Sequence, residues 1–265
     1  MAGNFKDGCI ECNKFGYSIL GKKYQRVSTI KGMFNTGGAL IDWAARTVAS
    51  VAAGYADKYL AKEIDATTLC VMLKSPELEQ AHNTERDSAA DFGTLFHSIV
   101  EGLAKGNQDI LSDIPDEAKR DMWADAEATW DWIHKNGVQF KLSEAIVVND
   151  TMSYAGQVDV LAFINGERWL IDLKTSKSVY DEYSLQLAAY RNCEKIQKPD
   201  GTTIKMPRID RCGVLHVRDG KCVLYELEAG EKEWAAFQAC HRLYWWKRGV
   251  SKPKAVELST ELVTA

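Results

Sequence analysis

Three residues near the middle of the chain, Asp159, Asp172 and Lys174, have the types and spacing to hold a cation and offset a phosphate. They lie in the stretch AGQVDVLAFINGERWLIDLKTS, residues 155–176. In its first half Val158, Val160, Ala162 and Ile164 alternate with Asp159, Leu161 and Phe163; in its second, Trp169, Ile171 and Leu173 alternate with Leu170, Asp172 and Lys174. Asn165-Gly166 between the halves is the strongest short hairpin signal, because both central residues of the turn must tolerate positive φ. The turn faces Ile164 with Glu167, and counting back along both strands sets Asp159 directly opposite Asp172. Their Cβ atoms would then be roughly 4.5–5.5 Å apart, where like charges destabilise a sheet unless something neutralises them. On that account Asp172→Asn is expected to be at least as stable as the parent in the absence of metal. Lys174, two residues beyond Asp172, shares its face. Two acids around a divalent cation, with a lysine beside them, suit the cleavage of a phosphodiester. An amphipathic hairpin with its charges in water would carry the same alternation. WLIDLK, however, is a nearly continuous apolar run, as in a strand covered on both faces, and charges at the end of such a strand need a reason.

Two further pairs stand four residues apart, so each pair shares a helix face: His97 with Glu101, and Gln186 with Tyr190. His97 belongs to DFGTLFHSIVEGLAKG, a helix with Asp91 as N-cap, apolar residues at helical spacing from Phe92 to Leu103, and a stop at Gly106. By itself His97 reads better as a core histidine than as a ligand. Gln186 and Tyr190 belong to a helix over roughly residues 179–196. Around these, residues 1–27 are Gly- and Lys-rich and read as loosely packed, and 27–34 as a short strand or turn. Residues 39–63 read as a helix, and 74–90 as a loop or lid with a short helix. Pro115 precedes a second amphipathic helix over 116–137, whose Trp123, Trp130 and Trp132 read as core rather than as a stacking platform for bases. A strand over 139–150 leads into the hairpin. A loop over 198–207, a hairpin over 211–227 turning at Asp219-Gly220, a further amphipathic helix and a polar tail complete the chain.

The 265 residues, 46% of them hydrophobic, suffice for a large core. Neither a transmembrane-length apolar run nor a signal or transit pattern is present at the start, so a cytoplasmic protein that does not engage membranes is expected. Seven irregularly spaced cysteines point to reduced thiols, and Cys9-x-x-Cys12 lacks the second pair that zinc needs. A net charge of −4 gives no general attraction to nucleic acid, so a DNA-processing enzyme of this balance must concentrate positive charge locally.

In chain order, Gly93-Thr-Leu-Phe-His97, Gly156-Gln-Val-Asp159, Asp172-Leu-Lys174-Thr175 and Gln186-Leu-Ala-Ala-Tyr190 resemble the motif series of the PD-(D/E)XK nuclease superfamily, in its RecB-type branch. With VSTIKGM and LIDWAAR upstream, the chain is most similar to small phage exonucleases and to the mitochondrial genome maintenance exonuclease, over roughly residues 27–250. The resemblance implies an α/β (α+β) fold with a restriction-endonuclease-like core, a mixed β-sheet flanked by helices, and a helical N-terminal segment. It implies one nuclease domain over 1–265: a mainly helical part, 1–136, forming a wall or arch, a catalytic core, 137–250, and a tail, 251–265. The implied activity is metal-dependent DNA exonuclease action, from free ends and on single strands, in recombination, repair or replication. A structure-selective endonuclease and a non-catalytic nucleic-acid-binding protein are the alternatives. Mg²⁺ or Mn²⁺ would sit on Asp159, Asp172, the Leu173 carbonyl and His97, whose imidazole favours Mn²⁺. Lys174 would position or help deprotonate the attacking water. Thr175 and Ser176 would donate to a phosphate oxygen, and Gln186 and Tyr190 would orient the lysine or the DNA backbone. Glu101 is implied as the outer partner of His97, and Glu144 as a further acid near the site. Some RecB-type nucleases clamp an iron–sulfur cluster; Cys193, Cys212, Cys222 and Cys240 lack the close spacing for one, so none is expected. No nucleotide-binding loop motif is present, and DNA, with a recombination or single-strand-binding protein, is the expected partner.

Overall fold

The computed structural model describes residues 5–34, 37–107, 110 and 116–250; Pro115 and the expected tail lie outside the described residues. Four short strands open the chain, β1 (Phe5–Asp7), β2 (Ile10–Asn13), β3 (Gly16–Ile19) and β4 (Lys22–Arg26), as an antiparallel meander. This corrects the loose packing expected before residue 27. Turns at Gly8, Lys14-Phe15 and Gly21 separate the strands, which bury Ile10, Cys12, Tyr17, Ile19 and Tyr24 against Ile146, Val148 and Ala155. Next comes α1 (Val27–Lys31), a helix where a strand or turn was expected, with Val27 and Ile30 one turn apart and both buried. The helices α2 (Gly38–Leu60), α3 (Ala66–Leu73), α4 (Pro76–Glu79), α5 (Ala81–Ala104) and α6 (Asp116–Lys135) follow. Asp91 is not a cap: α5 begins ten residues earlier, through polar, largely exposed positions that carry no apolar periodicity. Trp130 and Trp132 pack against the core as expected, whereas Trp123 is 43% exposed.

The central strands are β5 (Gln139–Asn149), β6 (Tyr154–Ile164) and β7 (Glu167–Lys174), an antiparallel set. After it α7 (Glu182–Arg191) crosses to the short hairpin β8 (Lys195–Gln197) and β9 (Thr203–Lys205). The helix expected to reach residue 196 is therefore shorter, because Ile196 pairs with Val147 in the sheet; the expected loop over 198–207 contains β9. Then β10 (Arg211–Arg218) lies parallel to β7 and turns at Asp219-Gly220 into β11 (Lys221–Glu226), ahead of α8 (Glu231–Gly249). The result is the expected class, a mixed sheet flanked by helices. Residues of α1, α7 and α8 cover one side of the sheet, and residues of α5 and α6 cover the other. No helix among the described residues is long and apolar enough to cross a membrane.

One irregularity in this sheet positions everything that follows. The β6–β7 ladder runs from Ile164↔Glu167, the expected turn register, to Val160↔Ile171 and stops there. Beyond it β7 stays paired with β10, through Lys174↔His216, while β4 meets β6 only at Tyr154 and Ala155. Between these two pairings one edge of β6, residues 156–159, lies in a fork.

Candidate active site

Asp159 fills the fork. Its Oδ2 accepts a 2.6 Å hydrogen bond from the Leu173 backbone N–H, so the carboxylate takes the place of the next ladder bond. Direct cross-strand pairing of Asp159 with Asp172 is therefore not formed: the register holds to the neighbouring pair, and the strands then part. The motif glycine has a steric reason. A Cβ on Gly156 would lie 2.3 Å from Tyr190 Cε1, so only glycine lets the ring of Tyr190 close onto β6.

Asp172 is buried at 2% exposure and is partnered on both sides. Its Oδ1 accepts from Gln186 Nε2 at 2.7 Å, and its Oδ2 is 2.5 Å from Lys174 Nζ. Asp172 is thus the counter-ion of a buried lysine. The expectation that Asp172→Asn costs no stability is overturned, because removing one partner of a buried pair strands the other charge. Gln186 also donates to Tyr190 OH at 3.1 Å and accepts from Lys31 Nζ at 3.2 Å. Gln186 therefore orients the acid rather than Lys174 itself, and Tyr190 braces Gln186.

From the other side α5 brings His97, whose Nδ1 is 3.4 Å from Glu144 Oε1 and 3.5 Å from Asp159 Oδ1. Glu144 stands across β5 from Asp159 at a break in the ladder, with φ +49°. A left-handed backbone at a residue with a side chain costs about 1–2 kcal/mol, and such strain collects at functional positions. Glu101 is not the partner of His97: it pairs with Lys105, 2.5 Å away, one turn along the helix. Ligand atoms of His97, Glu144 and Asp159 all lie within 4.8 Å of one another. Two carboxylate oxygens and an imidazole nitrogen within that span fit a divalent cation. The Leu173 carbonyl, expected as a ligand, here accepts from Lys174 Nζ at 3.1 Å.

Burial pushes the Asp159 carboxyl up to about 7, with Asp172 and Glu144 adding to the rise against His97 and Lys174. Burial alone would lower His97, but Asp159 and Glu144 outweigh it and raise the imidazole. Lys174 is likewise raised: burial opposes its charge, and Asp172 and Asp159 more than compensate.

Lys31 of α1 joins the site without having been expected there. It reaches Gln186 and, at 3.5 Å, Glu182, and its ammonium, like that of Lys174, stands 5.1 Å from the Tyr183 ring. Burial lowers its pKa. The available signal is a lysine next to the Val27/Ile30 helical spacing in VSTIK, which marks it as flanking a buried face. Of the expected phosphate donors, Ser176 is occupied, its hydroxyl donating to the Ser178 carbonyl and pairing with Tyr183 OH at 3.1 Å. Thr175 Oγ1 faces Gly93 of α5, 3.6 Å from where a Cβ there would be. His97, Glu144, Asp159, Asp172, Lys174 and Gln186 open on one cavity of about 1400 Å³, which also reaches Tyr17, Arg26, Arg86 and Arg218.

No protein-family profile and no curated protein matches the chain. Among solved structures it is similar to LHK-Exo in complex with dAMP, at 15% identity and a TM-score of 0.34, over 66% of this chain and 82% of that one. It is also similar to the alkaline exonuclease LHK-Exo from Laribacter hongkongensis, at 15% identity and a TM-score of 0.30, over 59% and 82%. A third is SSO0001, at 13% identity and a TM-score of 0.29, over 60% and 75%. These likenesses are distant.

Proposed function

We propose that the protein is a metal-dependent deoxyribonuclease of the PD-(D/E)XK type, RecB-like branch. It hydrolyses phosphodiester bonds from free ends of single-stranded DNA in DNA recombination, repair or replication. The observation that carries this reading is the convergence of His97, Glu144, Asp159, Asp172 and Lys174, from four separate elements, on the fork between β6 and β7. Buried charges at that density are costly and serve a site rather than a core.

Asp159, Glu144 and His97 would hold Mn²⁺ or Mg²⁺, with Asp172 at its edge. When bound, such an ion supplies Lewis-acid activation of water and neutralises phosphate charge. Lys174 keeps its proton, since its acidic neighbours raise its pKa, so its work is to offset the charge that develops on the phosphate rather than to remove a proton from water. Gln186 fixes Asp172, and through it the place of Lys174 Nζ. Thr175 supplies a hydroxyl at the cavity wall.

The test is digestion of end-labelled linear and covalently closed circular DNA, single- and double-stranded, with Mg²⁺ or Mn²⁺. Degradation of linear single strands with closed circles spared is expected. Rapid cutting of closed circles by homogeneous protein would replace this reading with an endonuclease, and no cleavage of any substrate with either ion would remove the nuclease reading.

A further inference from the structure

The cavity continues past the acids toward the β1–β4 meander, where Tyr17 and Arg26 line it. The β2–β3 turn lies at the Arg26 end of the meander and carries Lys14 and Phe15, with Phe15 77% exposed. A lone exposed aromatic is ordinary on a protein surface. This one sits on a built turn. The Phe15 N–H donates to Asn13 Oδ1 at 2.8 Å, and Arg26 Nη2 donates to the Asn13 carbonyl at 2.6 Å, tying the turn to a cavity-lining residue. Gly16, at φ +141°, brings the chain so close to β4 that a Cβ there would lie 2.3 Å from the Tyr24 carbonyl oxygen. Lys14 Nζ stands 5.1 Å from the centroid of the Phe15 ring. An exposed aromatic ring with an ammonium beside it is thus carried on a turn tied to Arg26, which lines the cavity.

We propose that Phe15, with Lys14, is a stacking platform for an unpaired base of the DNA strand that occupies the cavity. Tyr17, two residues from Phe15, lines the same cavity as Glu144. A base still paired in a duplex has no free face for the ring. The platform therefore favours single strands and gives the cavity its substrate class. Stacking on an aromatic tolerates every base, so no sequence preference follows.

This inference rests on the nucleic-acid reading of the cavity, and its test separates the two. Oligonucleotides carrying 2-aminopurine near one end are titrated, in Ca²⁺, into wild-type protein and into Phe15→Ala, Phe15→Leu and Phe15→Trp. Phe15→Ala and Phe15→Leu are expected to lose the quenching of 2-aminopurine and about fivefold or more of the single-strand affinity, with unchanged thermal melts. Phe15→Trp is expected to retain both, and Phe15→Leu separates a π-face from mere apolar bulk. Wild-type quenching and affinity in Phe15→Ala or Phe15→Leu would overturn the platform. Should wild type cleave no DNA with any cation while Phe15→Ala still loses single-strand affinity, the nuclease reading falls and the platform stands.

Discussion

Asp159 is the residue whose replacement tests the electrostatics of the site most directly. Burial lifts its carboxyl to about 7, whereas in the unfolded chain it titrates near the ordinary value of about 3.9. A carboxyl with a raised folded pKa holds its proton more tightly when folded. The stability this contributes is fully present below about pH 4 and is lost as pH rises through about 7. The difference between the two pKa values corresponds to about 4 kcal/mol. For 265 residues the unfolding entropy is about 0.56 kcal/mol/K, so the loss amounts to about 7 °C in melting temperature. Asp159→Asn keeps an oxygen for the Leu173 N–H but carries no charge. In EDTA the variant is therefore expected to melt with wild type near pH 4 and up to about 7 °C above it near pH 8. The variant also removes the Asp159 charge that, ahead of Glu144, raises His97, so the contribution of the imidazole to the pH profile falls with it. Saturating Mn²⁺ reverses the order in part: wild type gains about 2.7 kcal/mol at a hundredfold excess over Kd, and the variant, lacking the ligand, gains little. The assay is a set of thermal melts of both proteins from pH 4 to 8, in EDTA and in Mn²⁺. Parallel pH profiles for the two proteins in EDTA would refute the account of Asp159, and equal responses to Mn²⁺ would refute its role as a ligand.

Lys174→Ala is expected to abolish cleavage while single-strand affinity in Ca²⁺ stays within a few-fold, because the ammonium serves charge that develops in the transition state; single-turnover assays and binding titrations decide it. Glu144→Gln should raise the Mn²⁺ requirement for activity and for thermal stabilisation by about tenfold or more, and an unchanged metal titration would remove Glu144 from the site. Gly156→Ala drives a methyl group into the Tyr190 ring and is expected to cost about 1–3 kcal/mol in denaturant unfolding, with reduced turnover in the surviving fold. Asp172→Asn should lose about 3–5 kcal/mol in EDTA, opposite in sign to Asp159→Asn at pH 8, since it strands the Lys174 charge.

The hairpin, its turn and its register as far as Val160↔Ile171 are legible in the amino-acid order, because an Asn-Gly turn and a two-residue alternation are local and leave little choice of pairing. So is the set of residue types that gathers: His97, Asp159, Asp172, Lys174, Gln186 and Tyr190 stand on the expected strands and helices at the expected spacing. What those residues do to one another depends on packing between distant segments. Where β7 parts from β6 while staying paired with β10, a paired-acid geometry becomes Asp159 bonded to a backbone N–H and Asp172 bonded to Lys174 and Gln186. No alternation encodes a ladder that stops, since the gap is filled by contacts from outside the hairpin pattern, the Asp159 carboxylate on the Leu173 N–H and the ring of Tyr190 against Gly156. Glu144 and Lys31 carry little sequence signal for a related reason. Each is one charged residue in an unremarkable segment, and only the packing of β5 and α1 around the fork brings it to the acids. The meander of residues 5–26 is hidden differently. Its strands of three to five residues are too short for a period to show, and their pairing depends on burial against β5 and β6, which lie more than a hundred residues further along the chain.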